Sequence, residues 1–293
     1  MNPIASFLKY FNWHIAVNSL FARLILQGVI ITISLAVVSQ LAGTLIGLAL
    51  YFLRRSRFVP FRWLAEAYIW FFRGTPLLVQ ILFAYNALPY LGLSNPLRNL
   101  DIFTQLGFVS IYTDAMLAGL VALSLNEGAY MAEIVRAGID SIDIGQMEAA
   151  KSLGMTYAQG MRRIVLPQAM RVIIPPLGNE FNNMLKTTSL VYVIGVYDLL
   201  GAAKAIGDFS FRTLELLVTA SIWYLAMTTV WGFVQAYIER KFNAANIDPA
   251  LREGSWWRRM LGIRGRPAPA PALAGGALFA PGVEPPSIQG DRR

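Results

Sequence analysis

The stretch LILQGVIITISLAVVSQLAGTLIGLALYF, Leu24 to Phe52, carries no charged side chain. A hydrocarbon core about 30 Å thick is crossed by about 20 apolar residues in a helix, and this run exceeds that length. In lipid every backbone N–H and C=O must be bonded within the segment, so the run is predicted to be a membrane-spanning helix. Gly28, Gly43 and Gly47 within it are places where a second helix can approach closely. The run stops abruptly at Arg54-Arg55-Ser56-Arg57.

Working outward from this span, four more apolar regions follow. The second, Trp63 to Leu91, is interrupted by Arg73-Gly74-Thr75-Pro76, which predicts a short interfacial helix leading into a span from Pro76. Gly92 to Asp114 reads as a loop with a short helix. The third span covers Ala115 to Ile139, and a long hydrophilic stretch runs from Asp140 to Arg171. The fourth region begins at Pro175-Pro176 and reaches Val196, and the fifth covers Leu214 to Ile238. The chain is therefore expected to be an all-α polytopic membrane protein with five transmembrane helices. It divides into an N-terminal interfacial segment (1–23), a membrane domain (24–242) containing the hydrophilic loop (140–171), and a C-terminal tail (243–293). The tail is rich in Pro, Ala and Gly, and disorder is expected after Arg266 because it has too little apolar surface to offset chain entropy.

Composition agrees. Of 293 residues, 56% are apolar and 14% charged, against roughly 25% charged in a soluble domain. The net charge of +8 records orientation rather than nucleic-acid binding, because the lysines and arginines segregate. Arg54, Arg55, Arg57, Arg62, Arg136, Lys151, Arg162, Arg163, Arg171 and the basic residues of the tail from Arg240 fall on one side; Lys9, Arg23, Arg98, Lys204 and Arg212 fall on the other. The expected topology places the N-terminus outside and the C-terminus with the loop in the cytoplasm. There is no cysteine, and the single histidine, His14, has no ligand-like spacing around it, so a metal centre and a catalytic site are not expected.

The hydrophilic loop reads GQMEAAKSLGMTYAQGMRRIVLPQAMR, Gly145 to Arg171. Gln146 to Leu153 are good helix formers with Gly154 as a stop, and a second helix is expected from Thr156 as N-cap, with Pro167 as a boundary or kink. Such a pair either packs on its own membrane domain or forms a knob for a soluble partner. Ala149 and Ala150 permit close approach, and Glu148 offers a carboxylate. The spacing Glu148-Ala149-Ala150, Gly154, Ile164, Leu166-Pro167 resembles the EAA loop of ATP-binding-cassette importer permeases. RGTPLLVQ (73–80), NEGAYMAEIVRAGI (126–139) and LPQAMRVIIPPLGNEFNNMLKTTSLV (166–191) are similar to the polar amino-acid uptake branch of that family. The resemblance implies that the loop docks on a separate cassette ATPase, which binds the ATP. It further implies an extracytoplasmic amino-acid-binding protein, a second permease copy or paralogue, and a bacterial inner membrane location. The chain shows no phosphate-binding loop of its own.

Polar residues inside the spans cost about 2.5–3.5 kcal/mol when charged, and therefore face protein or a water-filled cavity. Asn126, Tyr130 and Glu133 share one helical face in the third span, with Glu127 beside them; Asn179, Asn183 and Lys186 share one in the fourth, with Glu180 and Thr187 adjacent. These faces suit a path for a zwitterion, which needs acceptors for its ammonium and donors for its carboxylate. Alternatively they bond helix to helix, with Glu133 and Arg136 as an ion pair. Lys186 is expected to reach a carboxylate, either Glu180 or one across a subunit interface. The competing function is an ion-coupled secondary transporter with Glu127 as the ion site.

Overall fold

The computed structural model describes residues 11–93 and 114–243. The expectations for residues 94–113 and for the tail from 244 lie outside the described residues. All regular elements described are helical. A short helix α1 (Trp13–Asn18) leads through a 3-10 turn into α2 (Arg23–Arg54), followed by α3 (Val59–Gly74), α4 (Leu77–Tyr90) and α5 (Asp114–Asp140). The loop carries α6 (Ile144–Ser152) and α7 (Tyr157–Gly160); then come α8 (Leu166–Thr187), α9 (Leu199–Ser210) and α10 (Thr213–Asn243). Three of these, α2, α5 and α10, are long and apolar enough to cross a membrane alone, and two bent helix pairs bring the number to five when each pair is one crossing.

The central seam is α2 against α5, and glycine makes it possible. A Cβ on Gly43 would lie 2.6 Å from the Glu127 side chain, and one on Gly47 would lie 2.5 Å from the Met131 Cβ. In return Gly128 receives Ile46. Without an aqueous driving force, helices in lipid associate through such close packing. Gly28 repeats the device further along α2, where Asp198 and Leu199 of the α9 start pack against it. A core of Leu35, Ile81, Leu123 and Val191 joins α2, α4, α5 and the 3-10 segment Thr188–Ile194.

Two elements differ from expectation. The fourth span does not begin at Pro175-Pro176: α8 starts at Leu166 and runs through both prolines. Packing holds it there, with Ile173 seated on Gly138 of α5 and Gly178 under Gln235 of α10, and the proline pair costs less where neighbouring helices surround it. Pro167 does mark a boundary, as the sequence anticipated: the winding changes just ahead of it, where α8 begins. The chain relaxes into a π-turn over Met161–Val165 just ahead of it, a looser winding suited to a residue that lacks an N–H and crowds the carbonyl four positions back. Second, the segment carrying Lys204, read only as an external connection, contains α9, whose N-cap Asp198 is fully buried and accepts from the Leu200 and Gly201 N–H groups and from the Tyr224 hydroxyl.

At the end of the bundle that carries the loop, Glu133 pairs with Arg136, as one reading of the sequence anticipated, and also with Arg54. Arg54 further reaches Glu66 of α3, while Arg55 and Arg136 both reach Asp140. These pairs fasten the ends of α2, α3 and α5 together.

Candidate functional site

Seven of the eight polar residues expected along the path line one cavity of about 580 Å³. α5 contributes Asn126, Glu127 and Tyr130; α8 contributes Glu180, Asn183, Lys186 and Thr187; the α3–α4 elbow closes one wall with Thr75, Pro76 and Leu77. Asn179 is the exception. It points to α10, where its side-chain oxygen accepts from Gln235 Nε2 at 3.1 Å.

Glu127 is 4% exposed, and its carboxylate accepts from Gln40 Nε2 of α2 at 3.0 Å. Gly43, one turn on, lets α2 lie against the stem of this side chain. Gln40 was not singled out in the sequence, although an amide inside an apolar span is itself a signal that the position faces protein. Lys186 is exposed to the cavity and, among the described residues, forms no ion pair with Glu180 or any other carboxylate. The cavity thus presents two carboxyl groups and one ammonium.

Asn126 has a structural commitment as well. Its amide donates to the Phe72 carbonyl at 3.0 Å and to Gln80 Oε1 at 3.1 Å. Gln80, buried and likewise missed in the sequence, donates to the same Phe72 carbonyl, to the Thr75 carbonyl and to Thr75 Oγ1. Two side-chain amides therefore bond the carbonyls left open where α3 stops and the chain turns by 109° into α4. Tyr130 faces the elbow too, with the Arg73 guanidinium 5.5 Å from its ring centre. Thr187 donates its hydroxyl to the Asn183 carbonyl at 2.8 Å, which leaves the hydroxyl oxygen as an acceptor.

The loop forms the two helices expected. Asp143 caps α6, and at its other end Gly154 takes φ +76°, with Gly154 N–H bonded to Lys151 O and Met155 N–H to Ala150 O, the two bonds of a Schellman stop. Thr156 and Gln159 form a reciprocal capping box at the start of α7. Glu148 and Ala149 are exposed, whereas Ala150 is buried beside Gly160, where a Cβ would lie 3.2 Å from its own. Gln168 Nε2 reaches back to Gln146 Oε1 and holds α6 against the base of α8. Ile144 and Leu153 are each 77% exposed on the knob. Ile164 is half-buried, and Leu166 and Pro167 are exposed at the foot of α8.

Residues 41–244 match the family described as binding-protein-dependent transport system inner membrane component. This chain belongs to that family. It is 40% identical over 234 residues to the arginine transport system permease protein ArgU of Corynebacterium glutamicum, covering 80% of this chain and 72% of that one. Identity is 38% over 220 residues to the arginine transport system permease protein ArtQ of Bacillus subtilis, covering 75% and 93%. A crystal structure of an amino acid ABC transporter with histidines superposes with a TM-score of 0.65 at 38% identity, covering 75% of this chain and 95% of that chain. The protein is thus a non-catalytic, membrane-spanning permease subunit of an amino-acid ATP-binding-cassette importer in the inner membrane. Nothing in these relationships supports the ion-coupled alternative.

Proposed function

We propose that this permease carries polar amino acids with a basic side chain, and that the cavity walled by α5, α8 and the elbow is their path. The observation that carries this reading is the buried Glu127 carboxyl, held by Gln40 at a cavity shared with Glu180 and Lys186. In the cavity the acidic groups outnumber the basic one, Glu127 and Glu180 against Lys186. An amino acid with a cationic side chain brings one positive charge in excess, so the two match; Lys186 and Asn183 suit its carboxylate and the acids suit its cationic groups. The arginine transport names of two relatives support the same class.

In this reading the exposed knob of α6 docks on a cassette ATPase, which binds the ATP, with Glu148, Ala149 and Gly154 shaping the contact and Ile164, Leu166 and Pro167 setting its foundation; the buried Ala150 fixes the close packing of the two loop helices. An extracytoplasmic binding protein delivers the substrate, and a second permease copy or paralogue completes the path. The N-terminus lies outside and the loop and C-terminus inside, as the segregation of basic residues indicates. ATP binding by the partner then biases two states of the membrane domain through different contacts in each.

The test is uptake into vesicles reconstituted with the complete importer, comparing labelled arginine and glutamine for wild type and Glu127→Gln. Arginine uptake is expected to fall about tenfold, the equivalent of about 1.4 kcal/mol, with glutamine uptake changing little. Equal loss of both substrates, or no loss of either, overturns the charge reading.

A further inference from the structure

The helix α3 is unlike the others. At 16 residues it is about 24 Å long, and it is parted from α4 by the 109° elbow. It carries three distinct faces. Ala65 and Ile69 pack on Leu50 and Ala132, and the Tyr68 hydroxyl donates to the Leu125 carbonyl, which fixes the inner face. Arg62, Glu66 and Arg73 fall along a second strip by helical spacing. The third face is Trp63, Leu64, Trp70 and Phe71, with Trp63 71% and Trp70 77% exposed.

The arginines at the start of this helix divide into two classes. Arg54 and Arg55 are engaged by Glu133, Glu66 and Asp140. Arg57 and Arg62 are exposed and have no carboxylate partner among the described residues. They flank Phe58 and Phe61, whose rings stack edge-on at 5.1 Å, and they lie at the end of the bundle where α5 passes into the coupling loop.

We propose that the outer face of α3 is a binding site for an anionic phospholipid of the leaflet on the coupling-loop side. Arg57 and Arg62 take the headgroup phosphate and its negative neighbours, and the Trp63–Trp70 face rests at the boundary with the acyl chains. The chemistry fits a lipid better than an acidic protein. Indole rings settle at the headgroup level of a bilayer, a helix with a broad apolar face and a basic strip lies in that plane, and guanidinium groups bind phosphate in a two-pronged fashion. Electrostatic attraction is worth a factor of about five for each such basic residue. Because α3 forms the near arm of the elbow that walls the cavity, the bound lipid would hold that arm in place during transport.

The experiment uses the permease with its ATPase, extracted gently and exposed to equal parts phosphatidylglycerol and phosphatidylcholine, with retained lipid read by native mass spectrometry. Wild type is expected to keep phosphatidylglycerol at least about fivefold over phosphatidylcholine, the R57A/R62A variant to approach parity, and R57K/R62K to fall between. Among the described residues neither arginine makes an internal ion pair, so the thermal midpoint should stay unchanged and an unfolded variant would be recognised at once. Brominated phosphatidylglycerol should quench wild-type tryptophan emission more than that of W63F. Parity in the wild type, or an undiminished preference in R57A/R62A, overturns the proposal. So does loss of the ATPase from R57A/R62A with lipid preference intact, which would assign the patch to a protein partner.

Discussion

The helical path is interrupted at two places that matter for transport, and the two interruptions are built in opposite ways. At the elbow between α3 and α4, the open carbonyls of Phe72 and Thr75 are bonded by side-chain amides, Gln80 from the next helix and Asn126 from α5. At the loop between α6 and α7, the stop is made from the segment's own parts: the left-handed Gly154, two local backbone bonds and the Thr156–Gln159 capping box. The surroundings account for the difference. Gln80 is buried and Asn126 half-buried among the helices, where an unbonded carbonyl has little water to turn to. The loop is largely exposed, so local chemistry suffices and its outer surface stays available to a partner. A break inside the bundle therefore depends on distant residues, whereas a break outside it depends on neighbours in sequence.

If this contrast is right, the largest effect belongs to the elbow. Replacing both Gln80 and Asn126 by Leu leaves two carbonyls, those of Phe72 and Thr75, without these donors, at roughly 1–3 kcal/mol each. The thermal midpoint of the purified permease in detergent should fall sharply, with loss of uptake even when the ATPase still co-purifies. A double variant with wild-type stability would show that the amides are not what holds the turn. Next comes Gly47→Ala in the α2–α5 seam, where the new methyl would meet Met131 Cβ and the Ala132 nitrogen at 2.5 and 2.8 Å. Forced overpacking of this kind costs about 1–3 kcal/mol, and a midpoint shift smaller than that of the elbow variant is expected. Gly232 of α10, where an added Cβ meets nothing within 4 Å, is the control.

The same contrast explains what could be read in the sequence. The stop at Gly154 and the start at Thr156 were legible, because Gly and Thr act there through neighbours only a few positions away; the Asp143 cap of α6 was not read. Close approach at Gly28, Gly43 and Gly47 was legible too, since small residues in a span have few other uses. The gathering of Asn126, Glu127, Tyr130, Glu180, Asn183, Lys186 and Thr187 followed from helical spacing and the cost of burying charge. What escaped was set by packing at long range. Gln40 and Gln80 lie 87 and 46 positions from the α5 side chains they bond; an amide in an apolar span signals a position facing protein, but no local pattern names its partner. The continuity of α8 through Pro175 and Pro176 reverses local preference because Gly138 and Gly178 give it two neighbours to lie on. Asn179, in step with Asn183 on a straight helix, turned instead to Gln235.

The smallest structural effect and the sharpest functional one should meet at Gly154. Nothing lies within 4 Å of a Cβ built there, so the only penalty for Ala is its positive φ, about 1–2 kcal/mol and confined to the loop. Asn, which tolerates the left-handed region, should cost less. Because the strain falls on a segment outside the bundle, the midpoint of the membrane domain should barely move in either variant. The knob, however, would be free to relieve the strain by reopening the α6 stop, displacing Glu148 and Leu153 together. Retention of the cassette ATPase should therefore fall in the order Gly, Asn, Ala. Equal retention by all three would mean that the partner imposes the loop's shape rather than recognising it. A drop in the midpoint as large as that of Gly47→Ala would mean that the two kinds of break are not energetically separate.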